Sequence, residues 1–572
     1  MEAGHDRCGL RYGLMALNLF GERIATLTCA VLFVTLLLAQ TAPNTYWVQF
    51  TTKENTPYSL SQPDQFLSQR ALARRAAQGV ALDDLDLPVD PSFVNVVEAL
   101  EGVEVLNRSK WFNAVTVRIS DPNALAAIQG LPFVQVVRGT GSNMVQRPTP
   151  VKFLEPPADS SRDVDAVRYG SSYLQFSMLN GQALHGIDAK GQGMLIGVLD
   201  SGFDGVDSAL AFQGLRDRGG ILLVRDLVAH DGDVYQDHWH GRSVLSCMAA
   251  VLDSQLIGTA PEADYVLLRT EEVATEYPVE EDNWISGAEL ADSLGCDVLN
   301  TSLGYTAFDD STMDHTYAQL DGQTLRISVA ANIASRKGMI PVCSAGNSGS
   351  SEWFYISAPA DAIDVLTVGA VGDVENSAPF SSRGPSADGR VKPDVCAMGW
   401  WATVLRSNAD SVLQVNGTSF SSPILAGLVA CLWQLHPERT ASEIMDAVRR
   451  SASFFSNPND SLGYGVPDFG AAHAWLMMIG IPEGGDIPAL KVYPNPFQQE
   501  LSIQTPEMVK GAIHLAMFNT QGQLVYFSRE RAQAGDRIRV EASNVASLLP
   551  GAYVIKLQSA DLVWQQQVIK LP

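Results

Sequence analysis

A serine hydroxyl stands directly before an apolar run that has the length of a helix. The stretch Asn416 to Pro423 contains Thr418 and Ser419, and it precedes the run Ile424 to Leu435. Backbone N–H groups and the positive end of the helix dipole favour negative charge at a helix start, which suits a nucleophile. Thr and Ser are also ordinary helix caps, so this segment alone does not establish catalysis. A nucleophilic serine needs a base and an orienting acid from elsewhere in the chain.

An aspartate and a histidine are the candidates for these two partners. Asp200 follows the apolar strand Met194 to Leu199 immediately, and functional groups of α/β proteins gather at the carboxyl ends of strands. His240 precedes a helical stretch of small and apolar residues, and Gly241 beside it predicts close approach of a substrate. Each residue has a simpler interpretation as a turn or helix cap. Together they supply the acid and the base that Ser419 requires.

An asparagine is the candidate for stabilising a developing negative charge. Strand Met339 to Cys343 runs into Ser344 to Gly349, where glycines flank Asn347 and allow tight backbone geometry. The amide of Asn347 is a hydrogen-bond donor of the kind found in oxyanion holes. An asparagine between glycines is also a common turn residue, so this candidate depends on the other three.

The order Asp200, His240, Ser419 is the order in which subtilisin carries its catalytic residues. Over roughly Gly181 to Leu476 the chain resembles the subtilisin family of serine proteases. The resemblance rests on several motifs in the correct order: Gly197-Val198-Leu199-Asp200-Ser201-Gly202, His240-Gly241, Asp297 to Gly304, Ala345-Gly346-Asn347, Gly417-Thr418-Ser419 and Ser422-Pro423.

The resemblance implies a serine endopeptidase that forms an acyl-enzyme intermediate. It assigns Ser419 as the nucleophile, His240 as the base and Asp200 as the group that orients the base. It also places Asn347 in the oxyanion hole with the Ser419 backbone N–H. The segment Ser302-Leu303-Gly304 resembles the strand whose edge binds the substrate backbone. No metal or cofactor is expected; calcium is common among relatives, but no EF-hand-like loop is present.

Two departures from the family pattern are visible. The family often has His-Gly-Thr-His at the catalytic histidine, whereas this chain has Arg242-Ser243 after His240-Gly241. The second histidine is not the base, so only the packing behind His240 is expected to differ. Phe420 and Ser421 stand where many relatives have Met and Ala, which is a mild change.

The pattern of apolar segments predicts an α/β fold with a subtilisin-like central parallel sheet and helices on both faces. Short apolar strands alternate with helices there, as in sheets covered on both sides. An α+β propeptide is expected before this domain and a C-terminal β-sandwich after it. The predicted division is 1–39 signal peptide, 45–150 propeptide (inhibitor- and chaperone-like), 165–480 peptidase domain, 481–490 linker and 491–572 sorting domain.

The two flanking domains also carry resemblances. Residues from about Tyr46 to Val145 resemble the N-terminal propeptide of subtilisin-like proteases, and Ser109 to Asn113 is similar to one bacterial branch. Val492 to Phe497, with Leu549 to Tyr553 later, resembles the C-terminal sorting domain of the bacterial type IX secretion system. These resemblances imply a zymogen that is secreted or carried on the bacterial cell surface, with secretion machinery as a partner.

Composition limits the remaining function classes. The formal net charge of −24 argues against a nucleic-acid partner, because little would neutralise a phosphate backbone. The apolar stretch Ile24 to Ala39 suits a signal peptide, so no stable membrane span is expected after its cleavage. Five cysteines follow this leader, and their apolar neighbours favour small buried side chains over a disulfide framework.

Two alternatives to a secreted protease of protein or peptide substrates are considered. The first is a catalytically dead subtilisin-like fold that serves as a surface binding or adhesion protein. The presence of all four chemical groups argues against it. The second is a membrane-anchored processing protease, which depends on whether the stretch Ile24 to Ala39 is cleaved.

Overall fold

The computed structural model describes residues 44–142, 152, 169–405, 410–478, 490–520, 522–540, 542–546, 548–559 and 562–571. The predicted signal peptide, with Ile24 to Ala39, and nearly all of the linker 481–490 lie outside the described residues.

The N-terminal unit is a four-stranded antiparallel sheet with strand order β2-β3-β1-β4. Its strands and helices are β1 Thr45–Phe50, α1 Gln69–Gln78, α2 Pro91–Glu98, β2 Val103–Ser109, β3 Ala114–Ile119, α3 Pro122–Gln129 and β4 Val134–Gly141. Helices α2 and α3 bury their apolar side chains against the sheet. Helix α1 begins at the Ser68 cap, whose Oγ accepts from the Ala71 N–H, and ends at Gly79 with a φ of 68°.

The central unit is built on a seven-stranded sheet in which every pair of neighbours is parallel. Its strand order is β13-β12-β11-β10-β5-β9-β6. The strands of this unit are β5 Leu195–Asp200, β6 Ile221–Asp226, β7 Val251–Leu252, β8 Leu256–Ile257, β9 Asp264–Arg269, β10 Val298–Thr301, β11 Ile340–Ser344, β12 Leu366–Val371, β13 Val395–Met398, β14 Trp400–Leu405 and β15 Val412–Asn416.

Helices cover both faces of this sheet. They are α4 Tyr173–Ser177, α5 Gln182–His185, α6 Gln213–Asp217, α7 Trp239–Ala249, α8 Val279–Leu294, α9 Arg326–Arg336, α10 Thr418–Gln434, α11 Ala441–Arg450 and α12 Phe469–Met478. Alternate residues of β5 point to opposite faces: Ile196 and Val198 join the core of α7 and α10, while Leu195 and Leu199 join that of α8 and α9. The predicted α/β architecture, with a parallel sheet between two helical layers, is confirmed.

The C-terminal unit consists of two antiparallel sheets with orders β16-β17-β20 and β19-β18-β21-β22. Its elements are β16 Lys491–Tyr493, β17 Leu501–Gln504, β18 Lys510–Asn519, β19 Leu524–Gln533, β20 Arg537–Val540, α13 Ala542–Ala546, β21 Gly551–Ser559 and β22 Leu562–Lys570. The two sheets share one apolar core, in agreement with the predicted sandwich.

Two local predictions need correction. The helix after the candidate nucleophile does not start at Ile424: α10 begins at Thr418 and contains Pro423. The predicted strand Val298 to Leu303 is also too long, since β10 ends at Thr301.

The five cysteines of the described residues are all buried and free: Cys247, Cys296, Cys343, Cys396 and Cys431. Burial raises the pKa of each of these thiols, to about 12 for Cys343 and Cys396. They therefore pack as small apolar side chains, as expected from their neighbours in the sequence.

Candidate active site

Asp200 and His240 form a direct pair at the carboxyl edge of the central sheet. Asp200 is the last residue of β5, and its Oδ1 lies 2.7 Å from His240 Nδ1. The same oxygen accepts from the Ser201 N–H at 2.8 Å and the Ser201 hydroxyl at 3.1 Å. Asp200 is fully buried and His240 is 2% exposed. The carboxylate therefore fixes the orientation of the imidazole and directs Nε2 away from the sheet.

Gly241 has a packing role that the sequence did not predict, beside the predicted approach of a substrate. A Cβ at this position would lie 2.2 Å from the Gly202 carbonyl oxygen and 3.0 Å from Asp200 Cβ. The start of α7 is thus packed directly on the turn that follows β5. This close approach brings the His240 ring to Asp200, and a side chain at residue 241 would separate them.

His238 caps α7 beside the pair. Its Nδ1 accepts from the His240 N–H at 3.4 Å and lies 2.9 Å from the Ser201 hydroxyl oxygen. Burial lowers the pKa of His238 to about 4, and the neighbouring His240 adds to this effect. His238 is therefore a neutral hydrogen-bonding group at neutral pH.

Ser419 is the second residue of α10 and is 7% exposed. Pro423 lies four residues later and has no N–H, so it cannot donate to the Ser419 carbonyl as a helix residue normally would. The Ser302 hydroxyl donates to that carbonyl instead, at 2.7 Å. In return, the Ser419 hydroxyl donates to the Ser302 carbonyl at 3.3 Å. This reciprocal pair ties the head of α10 to the end of β10.

The head of α10 also meets the head of α7. The ring of Phe420, the residue after Ser419, lies 5.7 Å from the His240 ring, centroid to centroid. The first turn of α10, which contains Ser419, therefore lies beside the pair of His240 and Asp200. Phe420 supplies an aromatic contact to the imidazole.

Asn347 is an exposed residue in the loop after β11. Its Oδ1 accepts from the Thr418 N–H at 2.9 Å and from the Thr418 hydroxyl at 3.0 Å. A backbone N–H can only donate, so the oxygen end of the amide must face Thr418. The Nδ2 amino group remains free to act as a donor. Thr418, which holds the amide, is the residue before Ser419.

The segment Ser302-Leu303-Gly304 continues from the end of β10 along the same edge. Ser302 and Leu303 are buried, and Gly304 is exposed. A Cβ at Gly304 would lie 2.1 Å from the Ser357 hydroxyl oxygen, so this backbone sits tightly on its neighbour. The next residue, Tyr305, exchanges two backbone hydrogen bonds with Ala358. A rigid, extended and partly exposed segment of this kind can pair with a peptide backbone.

The N-terminal unit binds the central unit through a fully buried carboxylate, Asp292 on α8. Its oxygens lie 2.7 Å from Arg74 Nη2, 2.8 Å from Arg75 Nη2 and 3.0 Å from Lys110 Nζ. Burial alone would raise the pKa of Asp292, but these three charges lower it to about 2.

A second buried carboxylate, Glu289, accepts hydrogen bonds from the end of β2 and the turn that follows it. It accepts from the Ser109 hydroxyl and the Lys110 N–H, both at 2.6 Å, and from the Trp111 N–H at 3.1 Å. These residues belong to the Ser109 to Asn113 segment that the sequence singled out. The roles of Asp292 and Glu289 were missed, although two acids three residues apart on a helix share one face.

Comparisons with known proteins agree with this architecture. Residues 191–465 match the Subtilase family, 45–152 match the Peptidase S8 propeptide domain of Bacteroidota, and 491–571 match the Secretion system C-terminal sorting domain. Subtilisin E from Bacillus subtilis is 28% identical over 311 residues, or 54% of this chain and 71% of that protein. Subtilisin DY from Bacillus licheniformis is 28% identical over 306 residues, or 52% of this chain and 95% of that protein.

A solved structure is also similar, the crystal structure of MycP1 with the N-terminal propeptide removed. Its TM-score is 0.41 at 24% sequence identity, over 55% of this chain and 99% of that chain.

The fold and the matched central domain define a serine peptidase. Residues 191–465 form a subtilase domain, and the protein is a subtilisin-like endopeptidase that carries a propeptide and a secretion sorting domain. The sorting domain gives it a secreted or cell-surface location. Among the residues described in the structure, no helix combines the length and apolar character that a bilayer crossing requires.

Proposed function

We propose that Asp200, His240 and Ser419 are the catalytic triad of this endopeptidase. The 2.7 Å contact between Asp200 Oδ1 and His240 Nδ1 carries the proposal, because it orients a buried imidazole beside the head of α10. Ser419 Oγ attacks the peptide carbonyl while His240 Nε2 takes its proton, and Asp200 stabilises the resulting imidazolium. His240 then protonates the leaving amine, which leaves an acyl-enzyme. Water hydrolyses this ester by the same proton transfers in reverse.

Two donors stabilise the oxyanion that forms in each half of the reaction. The Ser419 N–H is in the first turn of α10, where amides have no acceptor inside the helix. The Asn347 Nδ2 group is the second donor, and Thr418 holds its orientation. Both are in place before the substrate binds, so little reorganisation is needed as charge develops.

Ser302, Leu303 and Gly304 bind the substrate backbone by strand addition. The Ser302 carbonyl accepts from the Ser419 hydroxyl in the structure. A substrate N–H that bonds to this carbonyl competes with the hydroxyl, which frees its proton to turn toward His240. Substrate binding and activation of the nucleophile are thus linked through one oxygen atom.

The flanking units make the protein a secreted zymogen. The N-terminal unit inhibits and assists folding of the central unit through the contacts at Asp292 and Glu289. The C-terminal sandwich engages the secretion machinery. No metal or cofactor enters the proposed reaction, and the substrates are proteins or peptides.

Labelling with a fluorophosphonate probe tests the proposed function. We expect the processed, secreted protein to be labelled at Ser419 only, as located by mass spectrometry of its peptides. The reagent reacts with a serine activated by a neighbouring base and not with ordinary hydroxyls. Absence of labelling, with a control protease labelled in the same tube, would establish the dead-enzyme alternative in which the fold serves as a surface binding protein.

Replacing Asn347 with alanine is expected to lower kcat about 100- to 1,000-fold, the usual loss for one oxyanion donor, with little change in KM. The donor acts mainly on the charged transition state, so ground-state binding is spared. Steady-state hydrolysis of a chromogenic peptide measures both constants. Asn457→Ala, at an exposed asparagine of another loop, is the control. Unchanged turnover in Asn347→Ala would remove Asn347 from the mechanism.

A further inference from the structure

We propose that Glu271, Glu276 and Glu280 form a pocket that binds a lysine or arginine side chain of the substrate, on the acyl side of the scissile bond. This inference rests on the proposed function and names a substrate preference for the same site. Ligand atoms of the three carboxylates lie within 4.8 Å of one another.

A lysine ammonium occupies this glutamate pocket in the structure. Lys152 Nζ lies 3.2 Å from Glu271 Oε2, 2.9 Å from Glu276 Oε2 and 2.8 Å from Glu280 Oε1. It also donates to the Glu272 carbonyl oxygen at 2.7 Å. The pocket thus offers several acceptors around one position, which is the arrangement a primary ammonium requires.

The glutamate pocket lies at the same edge of the sheet as the catalytic residues. Glu271 follows Thr270, whose N–H donates to the Asp200 carbonyl at 2.9 Å. On the other side, the hydroxyl of Tyr305 donates to Glu271 Oε1. Tyr305 comes directly after Gly304, the end of the proposed substrate-binding segment. A peptide paired with that segment therefore passes beside the pocket.

We place Lys152 in the segment that is lost when the zymogen matures. The propeptide family matches residues 45–152, so Lys152 is its last matched residue. The propeptide strand β4 already approaches this place, since a Cβ at Gly141 would lie 3.5 Å from Tyr277 Cβ. Cleavage that separates the propeptide from the peptidase puts propeptide residues on the acyl side of the broken bond. Lys152 therefore occupies the pocket from the side on which an acyl-side substrate residue would enter.

Charge explains why the pocket selects a cation once Lys152 has left. Glu271 and Glu280 are 3% and 1% exposed, and three carboxylates at this spacing repel one another. Burial raises the pKa of Glu276 to about 8 and that of Glu280 well above its ordinary value, despite the Lys152 charge. Glu276 and Glu280 therefore hold protons when no cation is bound. An incoming ammonium or guanidinium displaces these protons and pairs with the ionised carboxylates, whereas a neutral side chain forms no ion pair.

The test compares matched peptide substrates of the processed enzyme, with lysine or norleucine placed in turn at each acyl-side position. We expect kcat/KM to favour lysine about 10- to 100-fold at one position, the usual strength of hydrogen bonds to a charged group. Glu280→Gln should remove most of this preference. Glu272→Gln is the control, because its side chain lies outside the pocket and is 40% exposed. Equal rates for both substrates at every position would overturn the proposal.

A binding measurement separates this inference from the proposed function. The processed protein, treated with a small serine-directed inhibitor, is titrated with a peptide of residues 146–158 that carries lysine or norleucine at position 152. Tenfold weaker binding of the norleucine peptide supports the pocket even in a protein that cleaves nothing. Equal affinities overturn it. Loss of the lysine preference on adding millimolar calcium, restored by a chelator, would also support the pocket, because calcium would then compete with the lysine for the same carboxylates.

Discussion

The Ser419→Ala enzyme is expected to have a kcat about 10⁶-fold below that of the unaltered protein, the scale of loss when a triad nucleophile is removed. The variant keeps the oxyanion donors, so a residual rate above that of water remains. Because the same serine would process the propeptide, the precursor should also accumulate uncleaved. Peptide hydrolysis and the apparent mass of the secreted protein measure the two effects.

Ser421→Ala is the matched control for this prediction. Ser421 is a fully buried serine on the same helix, and its hydroxyl donates to the Thr418 carbonyl at 3.0 Å. Losing that bond costs about 1 kcal/mol of stability and touches no reacting group. Near-normal activity in Ser419→Ala, or an equal loss in both variants, would contradict the assignment of the nucleophile.

Replacing Asp292 with asparagine is expected to weaken the hold of the propeptide by about 3–5 kcal/mol, the usual cost of breaking a buried ion pair. The change leaves the guanidinium groups of Arg74 and Arg75, 3% and 2% exposed, without their shared carboxylate. Hydrogen exchange of the uncleaved Ser419→Ala precursor measures this effect. The protection of backbone amides from exchange should fall in α1 and β2, while it should stay the same in β5 and β10 of the central sheet.

Asp217→Asn, at an exposed carboxylate of α6, is the control for Asp292→Asn. The pH dependence follows from the pKa of Asp292, which is lowered from 3.8 to about 2 in the complex. A lowered carboxyl pKa stabilises the complex fully above the ordinary value, and this contribution is lost as the pH falls toward 2. Unchanged protection in Asp292→Asn at neutral pH would show that the propeptide is held by other contacts.

The candidate site could be predicted from the sequence because its residues lie at the ends of strands and the starts of helices. Asp200 stands at the end of an apolar strand, β5, and Ser419 stands before an apolar helical run in α10. Both patterns can be recognised from neighbouring residues alone. The strands predicted over Met194 to Leu199 and Met339 to Cys343 agree with β5 and β11 to within one residue at each end for the same reason. The layered α/β fold follows from the alternation of such strands with helices.

Contacts between segments that are far apart in the chain could not be predicted from the sequence pattern. The apolar run predicted a helix from Ile424, whereas α10 begins at Thr418. The hydroxyl of Ser302, 117 positions before Ser419, satisfies the Ser419 carbonyl that Pro423 leaves unpaired. The packing role of Gly241 could not be predicted, because the nearby Gly202 carbonyl comes from another loop. The glutamate pocket was not predicted, since Lys152 lies more than a hundred residues away from it along the chain.

The burial of the cysteines has a consequence for the export of this protein. A thiol that is shielded from solvent and held in its neutral form exchanges poorly with disulfides. In the folded protein, the described cysteines are therefore inaccessible to the enzymes that form disulfides outside the cytoplasm. The same thiols are reactive in an unfolded chain, so wrong cross-links can form only before folding is complete. Rapid folding thus protects the covalent integrity of the protein as well as its shape.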